Sequence, residues 1–414
     1  MLHKPGSRAA LLAVICAAAS FAQPLPLIGH PEDAGFSSKR LEIATEVLKA
    51  DVEAKRMPGG VLLLARNGKV VLYDALGFQD RTAGTPMRKD AIFRVASMSK
   101  PITTVAAMIL AEEGKLDVGA PVAQYLPEFK DVKVGLEGAP PKRPMTVQDL
   151  MRHTSGLTYG PFGDTPVDQM YRKADLFGAE SLAVMVKTLA TLPLLHQPGE
   201  FWEYSVSTDV LGRIVEVAAG ADLDAFVRDR ITVPLKMNDT GFWVKPPAVG
   251  RLAKPDGPPD NSQDPTKKPK VYSGGGGMFS TAADYTRFCQ MLLNGGVLDG
   301  VRILSPRTIA LMTSDQLPPN TERHTPVAVA LGPFAPVPEM GTSFGLGFAV
   351  RVEAGRNPLP GSVGVFYWAG ITGTLFWVDP QMKLVAVWMT QAPRAQVGVL
   401  SRQVRMMVYQ AMTE

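Results

Sequence analysis

The segment around Ser97 constrains the chain more than any other, because it places two reactive side chains at the start of a buried helix. Ser97 and Lys100 are three residues apart, and an apolar run from Ile102 to Leu110 follows them. Pro101 lacks a backbone N–H and is tolerated only near the first turn of a helix, so the helix is predicted to begin close to Ser97. Residues three apart share a helix face, which brings the Lys100 amine beside the Ser97 hydroxyl.

This pair of side chains suits nucleophilic catalysis. A serine hydroxyl is a weak nucleophile until a neighbouring group takes its proton. A lysine in a partly apolar cleft is pushed toward its neutral form and can then accept that proton. A Ser-x-x-Lys match also occurs by chance beside an ordinary helix cap, so the assignment depends on the rest of the chain.

The first 22 residues have the pattern of a secretory signal peptide. Lys4 and Arg8 precede an apolar stretch, Ala9–Ala19, and small residues follow before Gln23. The stretch is too short to span a bilayer, and no other run in the chain approaches that length. We therefore expect a periplasmic or secreted protein that has no stable membrane span.

The two cysteines, Cys16 and Cys289, fit this interpretation. Cys16 follows the bulky Ile15, where a lipoprotein anchor usually has a small residue, so plain cleavage is favoured over lipid anchoring. Removal of the leader leaves Cys289 in an apolar stretch, as a small core residue with no partner for an intrachain disulfide.

Composition argues against several classes of function. The chain has 414 residues, of which 46% are hydrophobic and 20% charged, as is ordinary for a globular protein. Its formal net charge of +4 falls to +2 without the two cations of the leader, and no basic cluster predicts a nucleic-acid partner. The five histidines are scattered, so neither a metal site nor another cofactor is expected.

The order of predicted elements indicates one sheet assembled from both ends of the chain. A helix capped at Ser37 or Ser38 precedes two strand-like runs on either side of Asn67-Gly68, a strong hairpin signal. Helical patterns dominate residues 112–245, and a final helix is predicted over about Val397–Met412. Before it come four strand-like runs, at Gly345–Val352, Val363–Trp368, Thr374–Val378 and Leu384–Thr390.

We therefore predict an α+β fold in one domain over residues 23–414. Its α/β lobe, an antiparallel sheet flanked by helices, is expected over about 30–111 and 272–414, and a mainly helical lobe over about 112–271. The proline-containing stretches 245–270 and 317–340 are predicted to be loops that shape the mouth of a cleft.

Two further motifs offer groups for catalysis. Tyr204 follows a Pro-Gly turn, and close to a cationic lysine its phenol is expected to have a lowered pKa and to accept the serine proton. Trp368-Ala369-Gly370 lies where a strand meets a glycine-rich turn. An exposed N–H of Ile371 at this turn, together with that of Ser97, could stabilise an oxyanion.

Together these motifs resemble the serine β-lactamase and penicillin-binding superfamily, over about residues 30–412. The resemblance implies a β-lactamase/transpeptidase-like fold with the active site between the two lobes. It is carried by Ser97-Met98-Ser99-Lys100, Tyr204-Ser205-Val206 and Trp368-Ala369-Gly370, and supported by Asp149–Leu157, Pro198–Glu200 and Gly276–Asp284.

The resemblance also implies roles for single residues. Ser97 is the acyl-accepting nucleophile, Lys100 and Tyr204 share the acid and base work, and the N–H groups of Ser97 and Ile371 form the oxyanion hole. Which of Lys100 and Tyr204 takes the first proton stays open. Substrate-binding roles are implied for Trp368, Gly370, Tyr159 and Asp209, although Asp209 is equally suited to anchoring its own helix, and Trp368 to the core.

Two departures from class C β-lactamases favour an ester substrate. Those enzymes have Tyr-x-Asn and Lys-Thr-Gly, whereas this chain has Val206 in place of the amide and Trp368-Ala369-Gly370 in place of the lysine motif. Both losses weaken recognition of an anionic β-lactam and leave a more apolar cleft, as in the family VIII carboxylesterases.

The expected activity is thus that of a serine carboxylesterase acting on small-molecule esters through an acyl-Ser97 intermediate. β-Lactamase or D-alanyl-D-alanine carboxypeptidase activity is the alternative. A non-catalytic module that only traps acyl ligands is disfavoured by the intact Lys100 and Tyr204. The oligomeric state is not readable from the sequence.

Three other patterns are interpreted as structural. Gly341–Gly345 matches G-x-S-x-G but lacks the preceding strand, the following helix and the later histidine of a hydrolase elbow. His153 suits a structural role at a helix end. Gly274–Gly277 is not followed by the Lys-Ser/Thr of a phosphate loop, and close backbone packing near the cleft is expected instead.

Overall fold

The computed structural model describes residues 25–256 and 264–413, so the predicted leader and Cys16 lie outside the described residues. The α-helices in this part of the chain are α1 (Ser38–Glu53), α2 (Ser99–Glu112), α3 (Val147–Met151), α4 (Pro166–Lys173), α5 (Leu182–Leu189), α6 (Ser207–Ala219), α7 (Leu223–Val227), α8 (Ala282–Leu293), α9 (Pro306–Met312), α10 (Pro326–Leu331) and α11 (Arg394–Gln410). The strands are β1 (Gly59–Arg66), β2 (Lys69–Asp80), β3 (Thr85–Pro86), β4 (Phe93–Arg94), β5 (Phe279–Ser280), β6 (Val297–Leu298), β7 (Val301–Arg302), β8 (Thr342–Phe344), β9 (Ala349–Arg351), β10 (Phe366–Ala369), β11 (Leu375–Asp379) and β12 (Leu384–Thr390).

Eight of these strands form one antiparallel sheet, in the order β3-β2-β1-β12-β11-β10-β9-β8. The two ends of the chain meet at its centre, where β1 pairs with β12 and Gly60 lies opposite Thr390. The helix-rich middle of the chain lies between these strands in sequence. The prediction of an α+β fold with one sheet built from both chain ends is confirmed.

The β1–β2 hairpin turns at the predicted residues. Asn67 has φ 52° and Gly68 has φ 76°. Two successive positive φ values are what a type I′ turn requires, and Asn-Gly is the pair that adopts them most readily. Ser37 caps α1 as expected, its side chain accepting a hydrogen bond from the N–H of Arg40.

Helices cover both faces of the sheet. Every residue of β12 is buried, and since alternate residues of a strand point to opposite faces, neither face of β12 is open to solvent. Helix α8 packs against β1, β11 and β12, whereas α1 packs against β2 and α11. Cys289, on α8, is fully buried, in agreement with a core role.

Two predicted boundaries were wrong. The run Gly345–Val352 is not one strand, because Gly347 has φ 87° and the N–H of Gly345 bonds the carbonyl of Phe348, so the chain turns between β8 and β9. The stretch 317–340 is not only a loop, since it contains α10.

Ser343 lies within β8 and is fully buried, with its Oγ hydrogen-bonded to Asp315. Ser343 does not occupy a strand-to-helix elbow, so the structural interpretation of the G-x-S-x-G match at Gly341–Gly345 is confirmed. Over residues 25–256 and 264–413, none of the helices combines the length and the apolar character needed to cross a membrane.

Candidate active site

The nucleophile candidate lies on a tight turn just ahead of α2. A 3-10 turn, Ala96–Met98, leads into the helix, and Ala96 has φ 45°, a left-handed conformation that is strained for a residue with a side chain. Ser99 fixes this turn, because its Oγ donates to the carbonyl of Ala96 at 2.7 Å and accepts from the N–H of Met278 at 3.0 Å. Ser97 is left partly exposed toward a pocket.

Lys100 lies behind Ser97 and is only 1% exposed. Its Nζ is 3.3 Å from Ser97 Oγ, 3.0 Å from the Tyr159 hydroxyl and 2.5 Å from the carbonyl oxygen of Gly275. Burial lowers the pKa of Lys100 to about 7, against a smaller upward effect of Asp209. A neutral amine can donate two hydrogens to Gly275 and Tyr159 and keep its lone pair for the Ser97 proton.

Tyr204 is buried beside this pair, with Lys100 Nζ 4.5 Å from the centre of its ring. The prediction that the pKa of the Tyr204 phenol is lowered is wrong. Burial raises the pKa of Tyr204 well above its ordinary value, and the hydrogen bonds with Ser97 and Trp368 lower it by less. The neighbouring lysine does not reverse this, because an amine with a pKa near 7 carries only part of a charge at neutral pH.

The directions of the two pKa shifts bear on a question that the sequence left open, namely which of Lys100 and Tyr204 takes the first proton. Lys100 has the lone pair needed to take the Ser97 proton, whereas the Tyr204 phenol stays protonated and can donate a hydrogen bond or a proton. These pKa directions favour Lys100 over Tyr204 as the first base, with Tyr204 as the donor, and both roles stay predictions.

Trp368 supports Tyr204 from the end of β10. It is 1% exposed, it borders the pocket, and its indole Nε1–H donates to the Tyr204 hydroxyl at 3.2 Å. This contact fixes the phenol and leaves the indole N–H with a partner inside the protein.

Gly370 brings the end of β10 close to the backbone ahead of Ser97. A Cβ at this position would overlap the Val95 carbonyl oxygen and the Thr374 hydroxyl, so only glycine fits. The Thr374 hydroxyl donates to the same Val95 carbonyl at 3.2 Å. Ser97 and Ile371 consequently border one pocket, as the predicted oxyanion hole requires.

Tyr159 and Asp209, both predicted to contact substrate, have different positions. Tyr159 borders the pocket and contacts the Lys100 amine directly. Asp209 is fully buried and does not border the pocket. Its Oδ1 accepts from Ser273 Oγ at 2.5 Å and from the N–H of Gly275 at 3.2 Å, so it holds the glycine-rich loop whose carbonyl faces Lys100.

His153 packs behind Tyr204 instead of facing the pocket. Its ring centre is 4.6 Å from that of Tyr204, and its Nδ1 accepts from the N–H of Ser205 at 3.4 Å. Burial lowers the pKa of His153 well below its ordinary value, which keeps the ring neutral. This contact is structural, as the sequence indicated.

The pocket has a volume of about 870 Å³. Sequence reasoning missed most of its walls, which include Phe162, Phe177, Leu331, Phe334 and Arg394. For Phe162, Phe177 and Phe334 the available signal was a large apolar side chain in a stretch that otherwise has loop composition. In the described part of the chain, no group of three or more His, Cys, Asp or Glu side chains is arranged to hold a metal ion.

The chain belongs to the β-lactamase family, whose model, described as Beta-lactamase, matches residues 44–405. An uncharacterized protein of Mycobacterium tuberculosis is 37% identical over 362 residues, covering 82% of this chain and 87% of the relative. Esterase EstB of Burkholderia gladioli is 30% identical over 407 residues, covering 91% and 96%.

Solved structures agree on the fold. EstCE1, described as a hydrolase with promiscuous acyltransferase activity, superposes with a TM-score of 0.74 at 27% identity and covers 89% of this chain and 98% of its own. Simvastatin synthase (LovD) of Aspergillus terreus, at 23% identity and a TM-score of 0.73, covers 90% and 98% and shows the shared architecture. The protein is a serine hydrolase of the β-lactamase family.

Proposed function

We propose that this protein is an exported carboxylesterase that forms an acyl-enzyme on Ser97. The observation that carries the proposal is the Lys100 amine, which is buried, has a pKa near 7 and lies 3.3 Å from the Ser97 hydroxyl at the wall of a large pocket. Such an amine is a base at neutral pH without help from a histidine.

The reaction follows from the positions of these groups. Lys100 takes the Ser97 proton as the oxygen attacks the ester carbonyl carbon, and the N–H groups of Ser97 and Ile371 stabilise the resulting oxyanion. The C–O bond to the alcohol then breaks, and Tyr204 gives the leaving alcohol a proton that is replaced from Lys100. Water attacks the acyl-Ser97 carbonyl carbon while Lys100 takes the water proton. The bond from that carbon to the Ser97 oxygen then breaks, and Lys100 gives the proton to this oxygen, so that the carboxylic acid and free Ser97 are released.

Three observations support an ester over a β-lactam. Val206 is fully buried and offers no polar group to a substrate. Trp368 takes the place of a cationic lysine, and its one donor is engaged by Tyr204. The relative EstB, 30% identical over nearly the whole chain, is named an esterase.

The test compares 4-nitrophenyl acetate with the chromogenic cephalosporin nitrocefin. We expect a stoichiometric burst of nitrophenolate followed by turnover, with an added acetyl mass on Ser97, and a loss of at least about 10³-fold in Ser97→Ala. Ser314→Ala, an exposed serine outside the pocket, is the matched control. Unchanged turnover in Ser97→Ala would reject the assignment. A kcat/KM for nitrocefin tenfold above that for esters would favour β-lactamase activity, and labelling without turnover would favour an acyl-trapping module.

Export is part of the proposal and rests on residues 1–22. Cell fractionation of the full chain should place the enzyme outside the cytoplasm, and a chain starting near residue 23 should remain inside. Retention of the full chain in the cytoplasm would contradict this.

A further inference from the structure

Four apolar side chains that border the catalytic pocket, here called its apolar wall, come from segments far apart in sequence. Phe162 and Phe177 lie between α3 and α5, and Leu331 and Phe334 lie at and after the end of α10. None of these four side chains takes part in the chemistry proposed for Ser97. A large apolar surface beside a nucleophile is suited to binding an apolar part of the substrate.

Phe177 is the most unusual member of this wall. Its side chain is 54% exposed, whereas the preceding Leu176 is 5% exposed and anchors the turn in the core. Asp175, which begins the turn, has φ 43° and is held in the left-handed region. Strained backbone that presents an exposed aromatic ring to a pocket is typical of a ligand-contacting segment.

Phe162 connects the apolar wall to the reactive groups. The Phe162 ring meets the Tyr159 ring edge-to-face at a centre-to-centre distance of 6.0 Å, and the Tyr159 hydroxyl contacts Lys100. A substrate whose carbonyl carbon reaches Ser97 therefore has apolar surface available within the same pocket.

We propose that the preferred substrates are esters with a large apolar group, and that Phe177 is a specificity-determining residue that covers this group. This inference rests on the proposed esterase function and adds the class of substrate. The group could belong to the acyl part or to the alcohol part of the ester, and the two arms of the test distinguish these sources.

The acyl arm compares 4-nitrophenyl acetate with 4-nitrophenyl octanoate, and the alcohol arm compares ethyl acetate with octyl acetate by pH-stat. The wild type should prefer the longer member of at least one pair in kcat/KM. In that pair Phe177→Ala should lower kcat/KM for the longer ester by about tenfold, equivalent to about 1.4 kcal/mol, while the shorter ester changes less than about twofold. Phe177→Leu should restore most of the preference. Leu136→Ala, which removes an apolar side chain that is 62% exposed and outside the pocket, is the matched control.

The outcomes separate this inference from the proposed function. Hydrolysis of short esters with no gain for long ones, or a Phe177→Ala variant that loses both equally, overturns the apolar-wall inference and leaves the esterase intact. Absence of turnover on every ester overturns both. Labelling of Ser97 by ethyl and octyl 4-nitrophenyl phosphonates gives a readout without turnover. A labelling rate for the octyl reagent that Phe177→Ala does not lower contradicts the role of Phe177.

Discussion

Lys100 and Asp149 are both buried ionisable residues, but among the described residues only Asp149 has side chains of opposite charge in direct contact. Asp149 is fully buried, and its carboxylate accepts hydrogen bonds from Arg143, Arg152 and the hydroxyls of Thr146 and Thr154. Burial would raise its pKa, but these partners, Arg143 foremost, lower it to about 2. The Asp149 carboxylate therefore stays charged, and the two arginines compensate its charge.

The Lys100 amine has no carboxylate in direct contact among the described residues. Its neighbours are a serine, a tyrosine and a backbone carbonyl, and burial lowers its pKa to about 7. The difference separates two uses of a buried charge. A compensated group holds the fold together, whereas an uncompensated one gains the reactivity that catalysis needs and lowers the stability of the fold.

The largest expected effect is that of removing the uncompensated amine. Lys100→Met should lower kcat/KM for 4-nitrophenyl acetate by about 10³-fold, because no other base contacts Ser97 in the same way. The folded pKa lies below the ordinary 10.5, so at pH 7 the wild type is less stable than it would be without this shift. The variant should therefore melt at the same or a higher temperature by circular dichroism. Activity within tenfold of wild type, or a large loss of stability, would contradict the view that Lys100 serves catalysis at a cost in stability.

Asp149→Asn should have the converse effect. It leaves two arginines without their carboxylate and is expected to destabilise the fold by about 3 kcal/mol in urea unfolding, while the folded enzyme keeps most of its kcat. The folded pKa lies below the ordinary 3.8, so this stabilisation is present above pH 4 and disappears as the pH falls through 2. Asp164→Asn, at a carboxylate that is 89% exposed, is the control and should change stability by less than about 1 kcal/mol. Equal losses in the two variants would contradict the role of Asp149.

The smallest expected effect is a shift in the pH profile. The kcat/KM of the wild type should rise through about pH 7 as Lys100 loses its proton. The charge of Asp209 raises the pKa of Lys100, so Asp209→Asn should move this limb to lower pH. Asp175→Asn is the control, because Asp175 borders the pocket and asparagine tolerates its left-handed backbone. If the rise of kcat/KM with pH stays at the same pH in Asp209→Asn, or shifts equally in the control, Asp209 does not influence the pKa of Lys100.

The sequence predicted those features that are set by local chemistry. The Asn67-Gly68 turn, the Ser37 cap and the helix start near Pro101 depend on neighbours within a few residues and are confirmed. The rise in the Tyr204 pKa was not predictable, because it depends on how completely the folded chain excludes water from the phenol. The closeness of Gly370 to Val95 and the placement of Phe334 beside the catalytic pocket are long-range contacts with no local signal.

The pairing of β1 with β12 has a consequence for how the chain is made. The Thr390 hydroxyl bonds the carbonyl of Gly59, a residue 331 positions earlier, at the middle of the sheet. At about 5–20 residues per second, tens of seconds of synthesis separate the two partners on the ribosome. Until β12 emerges, β1 has an unpaired edge, so a nascent chain cannot complete its central sheet before translation is nearly finished.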